Sequence, residues 1–82
     1  MHTVLFVDDN IDILKGMELS VRPLKKICKF MFAPSGKDAL ACMEVTKIDA
    51  VVTDMRMPEF SGLELLEDVL SQHPSVAFLK QY

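Results

Sequence analysis

The sequence contains no tryptophan, one tyrosine, three glycines and four prolines in 82 residues. With no linker, repeat or low-complexity segment and 50% hydrophobic and 26% charged residues, it reads as a globular chain and excludes disorder. Charge of one sign is scarce too. A net charge of -3 leaves no footprint for nucleic acid or for an anionic membrane surface. No apolar run approaches the roughly 20 residues that a membrane span requires. Met1-His2-Thr3 runs directly into a strand, without the basic and then apolar pattern of a signal peptide. Cys28 and Cys42 have no short metal-ligand or redox spacing, and His2 and His73 lie far from them. A zinc site is therefore not expected, and both cysteines read as reduced core thiols of a cytoplasmic protein. The length allows one domain, residues 1–82, with a core large enough for marginal stability only.

What the chain does contain is an alternation of two segment types. Val4, Leu5, Phe6 and Val7 form a continuous apolar run, which predicts a strand buried on both faces. Asn10 is a good N-cap, and Asp12 sits where a helix dipole favours negative charge. Leu14, Met17, Val21 and Leu24 then repeat at helical spacing, and Pro23 ends or kinks that helix. Residues 28–33, "CKFMFA", predict a second strand, and Pro34-Ser35-Gly36 breaks it. Ser35 or Gly36 caps a second helix to about Glu44, with Leu40 and Met43 inward.

"IDAVVTDM" predicts a third strand, and "RMPEFSG" a loop. A third helix begins near Ser61, with Leu63, Leu66, Val69 and Leu70 inward and Glu64, Glu67 and Asp68 outward. His73-Pro74 ends it, and "SVAFL" predicts a fourth strand. Strands alternating with helices through short links give a parallel sheet covered by helices, an α/β doubly wound fold. Ligands of such sheets bind beyond the carboxyl ends of the strands, where the strand order reverses.

The acidic residues acquire meaning in that fold. Asp8 and Asp9 follow the first strand and Asp54 closes the third, so the three converge at one sheet edge if those strands are neighbours. Adjacent like charges after an apolar run are costly unless something there requires them. Oxygen-only ligands in an open crevice suit Mg²⁺, which keeps several waters for a phosphate. The plain alternative is that each aspartate merely caps the turn or helix that follows. It is a fair account of Asp9 alone and a poor one of all three.

"VLFVDDN", "VVTDMRMP" and the "SG" that follows resemble the receiver domain of two-component response regulators. The resemblance covers essentially the whole chain and implies a flavodoxin-like sheet. It implies that Asp54 accepts a phosphoryl group from a histidine kinase's phosphohistidine. It also implies that Asp9 binds Mg²⁺ directly, that Asp8 holds metal-bound water, and that Arg56 offers its backbone carbonyl. Met57-Pro58 and Gly62 match the family's turn after the acceptor. No Ser/His or Cys/His arrangement accompanies the carboxylates, so no enzyme is expected beyond self-catalysed transfer to Asp54.

Set against the family pattern, the chain reads as truncated after strand four, a (βα)3β unit without the last strand and two helices. The strand-five lysine, the switch aromatic and the strand-four hydroxyl are then absent. Lys80 falls at or near the hydroxyl position, where it has two readings. Its ammonium reaches toward Asp54 in place of the missing lysine, or it is a solvated residue near the C-terminus, and the second is the simpler. Strand four is then an apolar edge, which predicts a homo-oligomer joined through it and through the bared sheet face. Output would pass through contacts with an unknown protein. The rivals are a non-phosphorylated interaction module of receiver ancestry and a fragment of a longer regulator. Lys25, Lys26 and Lys29 read as a solvated turn.

Overall fold

The computed structural model describes residues 1–54, 67, 69, 71–72 and 76–81, with the backbone alone for Asp54, Phe78, Lys80 and Gln81. The chain forms β1 (His2–Val7), α1 (Ile11–Val21), a 3-10 turn (Arg22–Leu24), β2 (Cys28–Ala33), α2 (Gly36–Val45), β3 (Ala50–Asp54) and β4 (Ala77–Gln81). Glu67, Val69, Ser71 and Gln72 are helical and lie between β3 and β4. All described strand pairs are parallel, in the order β2-β1-β3-β4. The α/β doubly wound, flavodoxin-like reading is the fold observed.

Strand alternation divides the sheet into two unequal faces. Leu5, Val7, Ala33 and Val51 are fully buried with Ala39 and Met43 of α2, Ile48 and Val69. The other face carries Val4, Phe6, Phe30, Phe32 and Val52, all only half-buried. Phe6 stacks on Phe32 at 5.5 Å and on Phe30 at 6.1 Å between ring centroids, a cross-strand and a diagonal pair. Burial of β1 on both faces is therefore corrected. The apolar run is closed on one side, and on the other its aromatic rings shelter one another.

The helix signals hold with adjusted limits. The Asn10 side-chain oxygen accepts from the amides of Asp12 (2.9 Å) and Ile13 (3.3 Å), which satisfies two donors at the start of α1. Leu14 is buried and Met17 and Val21 are half-buried, but α1 stops at Val21 and Leu24 is exposed. Pro23 lies in the 3-10 turn, where its lack of an N–H ends the α-helical ladder. Ser35 caps α2: its Oγ accepts from the Asp38 amide at 3.1 Å and donates to Asp38 Oδ2 at 3.1 Å. Leu40 is half-buried and Met43 buried, as expected, and helical Val69 is buried while Glu67 is exposed. Leu63, Glu64, Leu66, Asp68 and Leu70 lie outside the described residues.

Two strands are shifted relative to their sequence patterns. β3 begins at Ala50, so Ile48 is buried in the approach to the strand and not within it. β4 occupies Ala77–Gln81 and not residues 75–79, two positions later than its apolar run. Pairing to β3 sets this register: Ala77 lies beside Ala50, and the Ala77 amide donates to the Asp49 carbonyl at 2.9 Å. Cys28 and Cys42 are half-buried free thiols. No helix among the described residues is long and apolar enough to cross a membrane.

Candidate functional site

β1 is the strand at which the sheet changes direction. The chain passes from β1 outward to β2 and then returns to β3 on the opposite side of β1. The crevice of such a sheet opens at the carboxyl ends of β1 and β3. Val7 pairs with Thr53, so Asp8 and Asp54 each follow by one residue the last paired position of neighbouring parallel strands. The adjacency required for Asp8, Asp9 and Asp54 to share one sheet edge is thus met at the level of the backbone.

Asp8 is 2% exposed, and a buried carboxylate needs partners. Its Oδ1 accepts from the Asn10 amide at 2.9 Å, and its own amide donates to the Ala33 carbonyl at 3.2 Å. The same Asn10 caps α1, so one short relay fixes the end of β1, the Asp8 carboxylate and the first turn of the helix. The positive end of the α1 dipole lies beside this acidic edge and favours charge there. Asp9 is exposed to solvent, between the buried Asp8 and the helix cap. One aspartate is anchored and the next is open, a division of labour that the sequence did not reveal.

Thr53 is fully buried immediately before Asp54 and interacts with the rest of the fold. No sequence signal marks it, because a threonine inside an apolar run looks like an ordinary β-former. The β4 register sets Lys80 beside Thr53 and Gln81 beside Asp54. Lys80 therefore lies within the strand, one position before the level of Asp54, and not at the strand's end. Arg56, Met57, Pro58 and Gly62 lie outside the described residues. Among the described residues no three metal-ligating side chains are gathered; the Asp54 carboxylate is not among them.

A second feature missed in the sequence lies at the opposite edge of the sheet. Asp49 Oδ2 accepts from the Thr3 amide at 2.7 Å and lies 3.7 Å from Nδ1 of His2. The Thr3 amide holds the Asp49 carboxyl below its ordinary value. Burial opposes that shift, and the charges of His2 and Lys47 reinforce it.

A four-stranded parallel sheet in the order β2-β1-β3-β4, carrying aspartates at its carboxyl edge beside the strand-order reversal, is a doubly wound α/β domain with a candidate ligand site at that edge. Comparison with known proteins makes the assignment specific. Residues 4–79 match the response regulator receiver domain, and the chain belongs to that family. A response regulator receiver protein of Anaeromyxobacter sp. (strain Fw109-5) is 35% identical over 77 residues, 94% of this chain and 32% of that protein. The chain thus spans about a third of the length of this relative. Among solved structures, the receiver domain of an HD domain-containing protein from Pseudomonas fluorescens Pf-5 aligns with a TM-score of 0.89. It is 25% identical and covers 96% of this chain and 62% of its own. The response regulator TrrA of Thermotoga maritima, solved in complex with Mg²⁺-BeF, aligns with a TM-score of 0.85 and 25% identity, over all of this chain and 71% of its own.

Proposed function

We propose that this chain is the phosphoacceptor module of a two-component system, phosphorylated on Asp54 by a histidine kinase in a Mg²⁺-dependent reaction. The observation that carries this reading is the β1–β3 register, with Val7 beside Thr53, which sends Asp8, Asp9 and Asp54 to one edge of the sheet. The donor set fits a hard divalent cation: carboxylate oxygens, one anchored by the Asn10 amide and one open to water. Asp9 would bind the metal directly, Asp8 through water, and Asp54 and the Arg56 backbone carbonyl would complete the protein's share. Bound there, Mg²⁺ supplies positive charge that offsets the anionic nucleophile and phosphoryl oxygens.

The transfer itself requires little covalent machinery. A carboxylate oxygen of Asp54 attacks phosphorus in line with the P–N bond of a phosphohistidine. That bond breaks, its electron pair stays on the imidazole nitrogen, and an acyl phosphate remains on Asp54. The chain's task is to hold the acceptor at the strand end, with the buried Asp8 fixed and Asp9 accessible. Such a module works in the cytoplasm, which suits the free thiols Cys28 and Cys42. Output would pass through contacts with another protein. Lys80 is a weaker candidate for contact with the phosphoryl group, given its position beside Thr53.

A second element of this reading is self-association. β4 is the outer strand of the described sheet, and Ala77 and Leu79 on it are exposed, Leu79 at 55%. An outer strand bearing exposed apolar side chains favours pairing with a second copy. If the acidic edge never takes up phosphate, this surface would make the chain an interaction module. Intact mass after incubation with Mg²⁺ and a small phosphodonor tests the phosphoacceptor reading.

A further inference from the structure

Away from the acidic edge, the chain builds a surface of opposite sign. α1 starts at the acidic edge and runs back, delivering the Arg22–Leu24 turn to the amino-terminal side of the sheet where β2 begins. From Arg22 to Lys29 the sequence contains Arg22, Lys25, Lys26 and Lys29 and no carboxylate. Arg22 reaches Glu18 at 3.4 Å, while Lys25 and Lys26 make no ion pair among the described residues. Between these cations Leu24 and Ile27 stand 45% and 65% exposed. They are not carried on loose chain. The Lys25 amide donates to the Arg22 carbonyl (3.3 Å) and the Ile27 amide to the Leu24 carbonyl (3.0 Å), and Pro23 fixes its own φ.

The acidic edge repeats this layout with the sign reversed. Ile11 and Ile13 are 51% and 42% exposed at the start of α1, interleaved with the exposed Asp9 and Asp12. Neither aspartate pairs with a cation among the described residues. The Asn10 side chain ties this turn together by accepting from the amides of Asp12 and Ile13. Each surface presents two aliphatic side chains in an ordered turn, beside charged residues, Lys25 and Lys26 on one and Asp9 and Asp12 on the other, that make no ion pair among the described residues.

We propose that two copies of this chain join head to tail, the 22–27 turn of one seated on the 9–13 turn of the next. Leu24 and Ile27 then lose water against Ile11 and Ile13, while Lys25 and Lys26 meet Asp9 and Asp12. A second copy is the occupant because its own surface matches in both charge and aliphatic content, and opposite potentials steer such an encounter. The contact sets a lysine of one copy against Asp9 of the next, so the neighbour supplies a group to the acidic edge. It is heterologous: each joined pair keeps one free acidic and one free basic turn, and growth is limited by weak affinity and not by closure.

Two preparations test this without relying on overall size. The first is ¹⁵N-labelled Lys25→Glu/Lys26→Glu, blind at the basic turn and intact at the acidic one. The second is unlabelled Ile11→Lys/Ile13→Lys, blind at the acidic turn, with unlabelled wild type as a substitute should that variant not fold. Mixing should move the amide signals of residues 9–13 of the labelled chain in a saturable manner. The same shifts should be absent when the unlabelled partner is Lys25→Glu/Lys26→Glu. Raising ionic strength tenfold should weaken the interaction at least about threefold, since exposed charges are screened within about 10 Å or less. No shift, shifts confined to residues 77–81, or shifts equal with both partners would overturn the proposal.

Discussion

The main-chain amide of Thr3 donates to the side chain of Asp49 at 2.7 Å, and the Asp49 amide returns a bond to the Thr3 carbonyl at 2.8 Å. With the Asp49 carbonyl accepting from Ala77 at 2.9 Å, one residue ties together the beginnings of β1, β3 and β4. This junction is the lower clamp of the sheet whose upper edge carries the acidic residues.

A pH dependence follows from that clamp. The Asp49 carboxyl titrates below its ordinary value when folded, chiefly because its charged form accepts the Thr3 amide. The unfolded chain therefore takes up this proton first as pH falls. Asp49 contributes its full stabilisation above about pH 4, the ordinary aspartate range, and loses it as pH drops through the lower folded value. Urea unfolding followed by circular dichroism should show stability falling more steeply below pH 4 in wild type than in Asp49→Asn. Parallel pH profiles for the two proteins would count against the clamp.

The Asn10 relay gives a second expectation. Asn10→Ala removes the side-chain acceptor for the amides of Asp12 and Ile13 but keeps the amide that Asp8 holds. The loss should be about 1 kcal/mol of stability, the usual value of an N-cap. Asn10→Asp should recover most of it. An unchanged urea midpoint in Asn10→Ala would show that the cap contributes nothing.

Much of this fold was legible in the sequence, for reasons visible in particular residues. "CKFMFA" predicted β2 to the residue, because Pro34 and the Ser35 cap delimit it. Asn10 and Ser35 announced both helix starts through their side-chain oxygens. The register of β4 was not legible. Val76 to Leu79 form its apolar run, but pairing to β3 carries the strand on to Gln81. Nor does local pattern reveal which of two adjacent aspartates is buried. Asp8 lies inside because the amide of Asn10 and the turn into α1 enclose it, while Asp9 faces water. Asp49 escaped notice because its partner is 46 residues away.

Mg²⁺ should bind weakly, because few protein carboxylates hold it and it keeps several waters. Titration followed by amide NMR should first move Asp8, Asp9, Asn10 and Thr53, with Asp54 and Arg56. Asp9→Asn should reduce the affinity several-fold while leaving the spectrum of β2 and α2 unchanged. Scattered shifts, or none, would remove the metal from the account.

Association through β4 should appear as a rise in mean mass with concentration in light scattering. Leu79→Lys places charge on an exposed position of the outer strand and should shift the dilution curve toward monomer by about tenfold or more. Because this contact is apolar, added salt should leave it intact, unlike the head-to-tail contact. A Leu79→Lys protein that associates as wild type does would exclude the β4 surface.

The central claim is that Asp54 accepts phosphate with the help of its acidic neighbours, and intact mass spectrometry measures this most directly. Wild type, Asp54→Asn and Asp9→Asn are incubated with a small phosphodonor, with and without Mg²⁺, and then denatured in acid. Wild type should gain the mass of one phosphate only when Mg²⁺ is present. Asp54→Asn should gain none, and Asp9→Asn should react at least about tenfold more slowly, about 1.4 kcal/mol in the barrier. A wild-type chain whose mass never changes with metal bound, or one that gains phosphate equally well as Asp54→Asn, would contradict it.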